Sequence, residues 1–92
     1  MVYVDSATIK FGRMKMCHML ADTPAELHAM ADTIGVARRW YQARASAPHY
    51  DIAQSKRAEA VRAGAVEIDR YALVALMKRI KPTWPRDAKG WL

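Results

Sequence analysis

Among the imidazoles and carboxylates of the first 51 positions of this 92-residue chain, Asp5, His18, Asp22, His28, His49 and Asp51 are the candidates for acid–base or metal chemistry. Imidazoles and carboxylates are the groups from which general acid–base pairs and metal sites are built. The tightest grouping is His49, Asp51 and Lys56, an imidazole, a carboxylate and an ammonium within eight positions at what reads as a helix start. Such a set can act on a phosphate or a carbonyl. In a catalytic role, His49 or His18 is the expected general base, with Asp51 or Asp5 as its orienting partner or as a metal ligand. No HExxH, paired CxxC or DxDxDG pattern is present, so the sequence assigns no metal. The plainer reading is structural: Asp22 and Asp51 cap helices, His28 lies on a solvated helix flank, and His18 is a satisfied, partly buried histidine.

Cys17 beside His18 invites a nucleophile reading. Neighbours in a strand point to opposite faces, so the two would not share a proton, and Cys17 among Met14, Met16 and Met19 reads as a small buried hydrophobe. The four glycines form neither GxGxxG nor GxxxxGK[ST], which excludes the standard nucleotide loops. Phosphate recognition has another route. The amides and dipole of the second helix's N-terminus, with Ser55, Lys56 and Arg57 in its first turns, suit an anion. Arg38 and Arg39 beside Trp40 and Tyr41 combine cations with rings, as nucleic-acid surfaces do. Asp22 lies at the same expected sheet edge. The leading expectation is therefore a protein that binds a phosphate-bearing ligand, nucleic acid or nucleotide. The alternatives are a small hydrolase or transferase using a His/Asp site, and a phage protein that binds a host protein through Trp84, Trp91 and tyrosines. The sequence names no cofactor.

Three helices must position these groups. Thr23-Pro24-Ala25-Glu26 forms a capping box; Leu27, Met30, Ala31 and Ile34 follow at helical spacing, and Gly35 ends the run. A second helix runs from Asp51 as N-cap, with Gln54 at its third position, to Gly64. A third starts at Asp69, turns Leu73, Val74, Met77 and Ile80 inward, and stops before Pro82. Val2–Val4, 15–20, 36–42 and 66–68 have strand character, while 43–48 (ARASAP) reads as a surface loop. The order ββαβαβα predicts a small single α/β domain with a three- to four-stranded, mostly parallel sheet, because helical crossovers join parallel strands. Residues 1–81 form this domain and 82–92 a basic, tryptophan-containing tail. Ligands then collect at the carboxyl ends of the strands.

Composition agrees with a globular domain. Hydrophobic residues make up 52% and charged residues 26%, which excludes global disorder. Lys and Arg outnumber Asp and Glu by 15 to 9, a net charge of +6, and residues 78–92 alone carry five cations and one acid. One cysteine allows no internal disulfide, the usage of a reducing compartment, and Asp5 interrupts the apolar run a signal peptide needs. A cytoplasmic protein without membrane association is expected. A chain this short could gain core by forming a homodimer.

The motifs Tyr3-Val4-Asp5, Gly12-Arg13-Met14, Met16-Cys17-His18-Met19, Ala21-Asp22, Glu26-Leu27-His28, Ile34-Gly35, Arg39-Trp40, His49-Tyr50-Asp51, Ser55-Lys56-Arg57 and Gly64-Ala65 follow one another in order. As an ordered set over residues 2–66 they resemble a family of small uncharacterised bacterial and phage proteins, a domain of unknown function; the resemblance fades beyond Ile68. It implies a stand-alone small domain of phage or prophage origin and supplies no reaction, cofactor or partner.

Overall fold

Alternation of apolar and polar residues builds a six-stranded sheet, seen in a computed structural model that describes residues 1–43 and 47–80. The chain runs β1 (Val2–Val4), β2 (Ile9–Phe11), β3 (Met14–Ala21), α1 (Pro24–Thr33), a 3₁₀ turn (Arg38–Trp40), β4 (Tyr41–Gln42), β5 (His49–Ala53), α2 (Gln54–Arg62), β6 (Val66–Glu67) and α3 (Arg70–Ile80). The strand order is β4-β5-β3-β1-β6, and β2 pairs with β3. Met16 is in register with both Ile9 and Ala53. β2 therefore lies on the edge of β3 opposite β5, the edge that β1 also uses, with residues 5–8 bridging the break between β1 and β2.

The sheet is mixed and mostly antiparallel, not mostly parallel. Only β1 with β6 is a parallel pair; β1–β3, β2–β3, β3–β5 and β4–β5 are all antiparallel. The crossover logic holds, but its products are not neighbours. α1 carries the chain from β3 to the parallel β4, and β5 is inserted between them. α2 carries it from β5 to the parallel β6, and β3 and β1 intervene. Two strands account for the lost ββαβαβα order: β2, and β5 (His49–Ala53), where the sequence reading assigns no strand and takes Asp51 as a helix cap. Residues 38–40 form the 3₁₀ turn in place of a strand, leaving only Tyr41–Gln42 paired.

Most of the core lies on one face of the sheet, with Leu20 buried on the other. Val2 and Val4 on β1, Cys17, Met19 and Ala21 on β3, and Tyr50 and Ile52 on β5 are all buried, and they pack with Leu27, Ala31 and Ile34 around α1 and Ala60 on α2. Complete burial of a side chain the size of Met19 or Leu27 stabilises the fold by about 1.5–3 kcal/mol. α1 is capped as expected. Thr23 accepts from the Glu26 amide and its hydroxyl donates to the Glu26 carboxylate, and Gly35 adopts φ +76°, the left-handed conformation that ends the helix. His28 corrects the expectation of a solvated flank. It is buried on the core face, 2.7 Å from the Tyr50 hydroxyl and edge-on to Tyr41. On α3, Leu76 and Ile80 enter the core with Leu73 and Met77 against it, whereas Val74 is exposed. Among the described residues no helix is long and apolar enough to cross a membrane.

Candidate active site

The opposite face of the sheet is set by the same period of two. Cys17 and Met19 point into the core, so His18 between them points away; Tyr50 and Ile52 do the same for His49 and Asp51. Register then brings them together. His18 lies directly opposite Asp51, and His49 is opposite Gln42 of β4. The His18 and His49 rings meet edge to face at 5.1 Å between centroids. Asp51 Oδ1 is 3.1 Å from His49 Nε2 and 3.9 Å from His18 Nε2. His18, His49 and Asp51 are all partly buried, and one donor atom from each lies within 4.8 Å of the others, the arrangement of a metal-ligand group.

Each of the three is held from behind. Asp5, nearly fully buried, sits where β1 breaks from β2 and faces His18 twice: Oδ1 accepts from the His18 amide at 2.8 Å, and Oδ2 is 2.7 Å from His18 Nδ1. Oδ1 also accepts from the Ala7 amide. His49 Nδ1 is 2.7 Å from the Ala47 carbonyl oxygen, and Gln42 donates to Asp51 Oδ2 at 2.7 Å. Gln42 and Ala47 play no part in the sequence reading. The signal that leads to them is the alternation in His49-Tyr50-Asp51-Ile52, which makes 49–53 a strand and Asp51 a member of its polar face. Asp51 is accordingly not the cap of α2, whose N-cap is Ala53.

The partners decide the protonation pattern. A carboxylate and a carbonyl oxygen only accept, so Nδ1 of His18 and Nδ1 of His49 each carry a proton. In the neutral rings both Nε2 atoms then present lone pairs to the space where Asp51 Oδ1 presents its own. Oδ1 is buried and makes no hydrogen bond among the described residues, although His49 Nε2 lies 3.1 Å away. With both rings neutral, three electron-rich atoms face one another with no donor between them among the described residues, which fits them to hold a cation or an activated water.

The residues expected to bind phosphate are placed elsewhere. Arg57 reaches from α2 to the Asp5 carbonyl at 2.9 Å and to Glu67 at 2.7 Å, bracing the segment that carries Asp5. Lys56 pairs with Glu59, Ser55 is exposed in the first turn of α2, Arg38 grips Asp32 through Nε and Nη2, and Arg39 stacks over Trp40 at 5.3 Å. Those bonds from Arg38 hold the Asp32 carboxyl below the usual carboxylate range. Asp22 bonds the Tyr3 hydroxyl and Arg79 of α3, apart from the histidines. Cys17 is fully buried, and burial, aided by the Asp5 charge, pushes its thiol up to about 11, so it supplies no thiolate nucleophile. Trp84, Trp91, Lys81, Arg86 and Lys89 lie outside the described residues.

The polar cluster adjoins an apolar surface. Phe11 is in register with Met14 and Ile9 with Met16, and the period of two puts this hairpin's Met14 and Met16 on the His18 side of β3. Ile9, Phe11 and Met14 are exposed.

Comparison with curated proteins and with solved structures finds no match. A family model does match, and its coverage extends past the motif-bearing segment through the whole of α3. Over residues 2–80 the chain belongs to the family described as "Protein of unknown function (DUF4031)".

Proposed function

We propose that this protein is a small hydrolase whose reaction takes place at His18, His49 and Asp51. The observation that carries the reading is the convergence of two imidazole Nε2 atoms and a carboxylate oxygen, each fixed by a partner of its own, beside an exposed apolar surface. A water at this point loses a proton to the cluster. Its oxygen bonds to the electrophilic carbon or phosphorus of the substrate, the bond to the leaving oxygen breaks with its electron pair, and that oxygen takes up a proton. Asp5 is a positioning residue that sets the orientation and tautomer of His18. Ile9, Phe11 and Met14 supply a place for the apolar part of the substrate.

Phosphate binding at Arg38, Lys56 and Arg57 has less support, because each of these cations already faces an acid. The test is turnover of a chromogenic panel of carboxylic esters and phosphate mono- and diesters by the purified protein and by His49→Ala. Hydrolysis of at least one class is expected, with activity abolished in the variant and its thermal midpoint nearly unchanged. Absence of turnover across the panel, combined with salt-sensitive binding of polynucleotides, would overturn the hydrolytic reading and return the phosphate-binding one.

A further inference from the structure

We infer that His18 Nε2, His49 Nε2 and Asp51 Oδ1 bind one divalent ion of the first transition row, with zinc as the reference case. The inference relies on the hydrolytic reading for what the ion does and not for whether it binds.

Lone-pair accounting leads to it. The Asp5 carboxylate and the Ala47 carbonyl fix the imidazole protons on Nδ1, leaving both Nε2 atoms as donors of electron pairs. Asp51 Oδ1 is buried without a hydrogen bond among the described residues, although His49 Nε2 is only 3.1 Å away. A buried acceptor left in this state costs about 1–3 kcal/mol. A cation at the centre removes that penalty and turns three mutually repelling lone pairs into three bonds.

The spacing suits such an ion. With bonds of about 2.0–2.1 Å to nitrogen and oxygen, tetrahedral ligand atoms lie roughly 3.3 Å apart. The 3.1 Å from His49 to Asp51 is close to this, the 3.9 Å from His18 to Asp51 is longer, and all three donor atoms lie within 4.8 Å of one another, so binding would draw the cluster in slightly. All three ligands are oriented by second partners, namely a carboxylate, a backbone carbonyl and a side-chain amide, as in known metal centres. Two imidazoles with one carboxylate favour zinc and its neighbours over magnesium or calcium, which prefer all-oxygen sites. The ligands come from the middle of two neighbouring strands, so the sequence shows none of the short-range spacings by which helical or loop zinc sites are found. Three protein ligands leave a position for water, whose pKa a catalytic zinc lowers to about 7. With the lone pairs of the cluster engaged by the ion, the water's proton would go to solvent in place of the cluster, and the resulting hydroxide would supply the attacking oxygen of the same hydrolysis.

The experiment is titration of chelator-stripped protein with Co²⁺, followed by visible absorption, and with Zn²⁺, followed by calorimetry, both without substrate. One ion per chain is expected, with the visible bands of a four-coordinate nitrogen and oxygen site, and neither Mg²⁺ nor Ca²⁺ should compete. His49→Gln and Asp51→Asn should each weaken binding by about a hundredfold or more, beyond the 10–100-fold typical of an orienting partner. Cys17→Ser should bind like the parent. Circular dichroism establishes that each variant is folded, and with two ligand variants the loss of one to misfolding still leaves a test. A folded parent that binds no Co²⁺, or binding that both ligand variants retain, overturns the inference. Tight binding with no hydrolysis upholds it and removes the hydrolytic reading; hydrolysis by stripped protein that binds no metal does the reverse.

Discussion

Replacing Asp5 by asparagine keeps the side chain's shape and removes its charge, which isolates what the buried carboxylate does for His18. Oδ1 accepts from two backbone amides, at 2.8 Å and 3.3 Å, and Oδ2 faces His18 Nδ1 at 2.7 Å. Asparagine can keep the first two bonds at the strength of neutral ones, roughly 1 kcal/mol each in place of about 1.5–3 for an ionised acceptor. At the third contact the asparagine NH₂ meets the Nδ1 proton. The conflict resolves when His18 moves that proton to Nε2 and accepts at Nδ1. The expected loss of stability is therefore modest, about 1–2 kcal/mol, because relief from burying a charge offsets part of the weakened bonding. Asp5→Ala should cost about 3–5 kcal/mol, since the His18 amide is left without an acceptor. The tautomer is the sharper measurement. Long-range ¹H–¹⁵N correlation spectra should show His18 protonated at Nδ1 in the parent and at Nε2 in Asp5→Asn, with affinity for Co²⁺ down about 10–100-fold. A His18 tautomer that does not change, in a folded variant of parental stability, would refute the argument from the partner to the proton.

Three further outcomes follow from buried groups. Cys17, with its thiol raised to about 11 by burial and then by the Asp5 charge, should resist a thiol-reactive dye at pH 8 until the protein unfolds; rapid labelling of the native state would contradict its placement. Burial, with the Arg38 guanidinium in support, holds the His28 imidazole below the ordinary histidine range. The unfolded chain thus takes up this proton first, so the associated stability is present above about pH 6.5 and lost as pH falls, by at most about 1.4 kcal/mol per unit. In urea unfolding from pH 7 to 5 the advantage of the parent over His28→Gln should shrink, and parallel profiles would count against it. Arg57→Met should cost about 1–3 kcal/mol in the same assay. Most of this comes from the bond to the Asp5 carbonyl, because the exposed partner Glu67 adds little; an unchanged urea midpoint would show that Arg57 does not brace that segment.

Local signals were legible where local physics dominates. The Thr23–Glu26 capping box, the Gly35 stop, the opposite facing of Cys17 and His18, and the strands at Val2 and Val66 all depend on neighbours in sequence. The main misreading lies at 49–54. Asp51 three residues before Gln54 imitates a capping pair, and that imitation masks the alternation of Tyr50 and Ile52 that makes the segment a strand. Neighbour order in the sheet was illegible for a different reason. A helix signals that its flanking strands run parallel, but nothing local reports that a later strand inserts between them. Of the candidate residues, Asp5, His18, His49 and Asp51 converge in the structure, while Lys56 and Arg57, in the first turn of α2, and Asp22, just before α1, are engaged in other contacts.

Insertion of β5 between β3 and β4 also fixes an order of events. As the chain emerges from its N-terminal end, β3 keeps one edge unpaired until residues 49–53 arrive, about thirty positions later. Pairings of such separation carry a large loop-closure cost and slow folding. Since the same pairing sets His18 against Asp51, the cluster comes into being in one step with closure of the sheet. A nascent chain that has not yet reached Asp51 holds at most two of the three side chains of the cluster, and β6 has still to join the sheet.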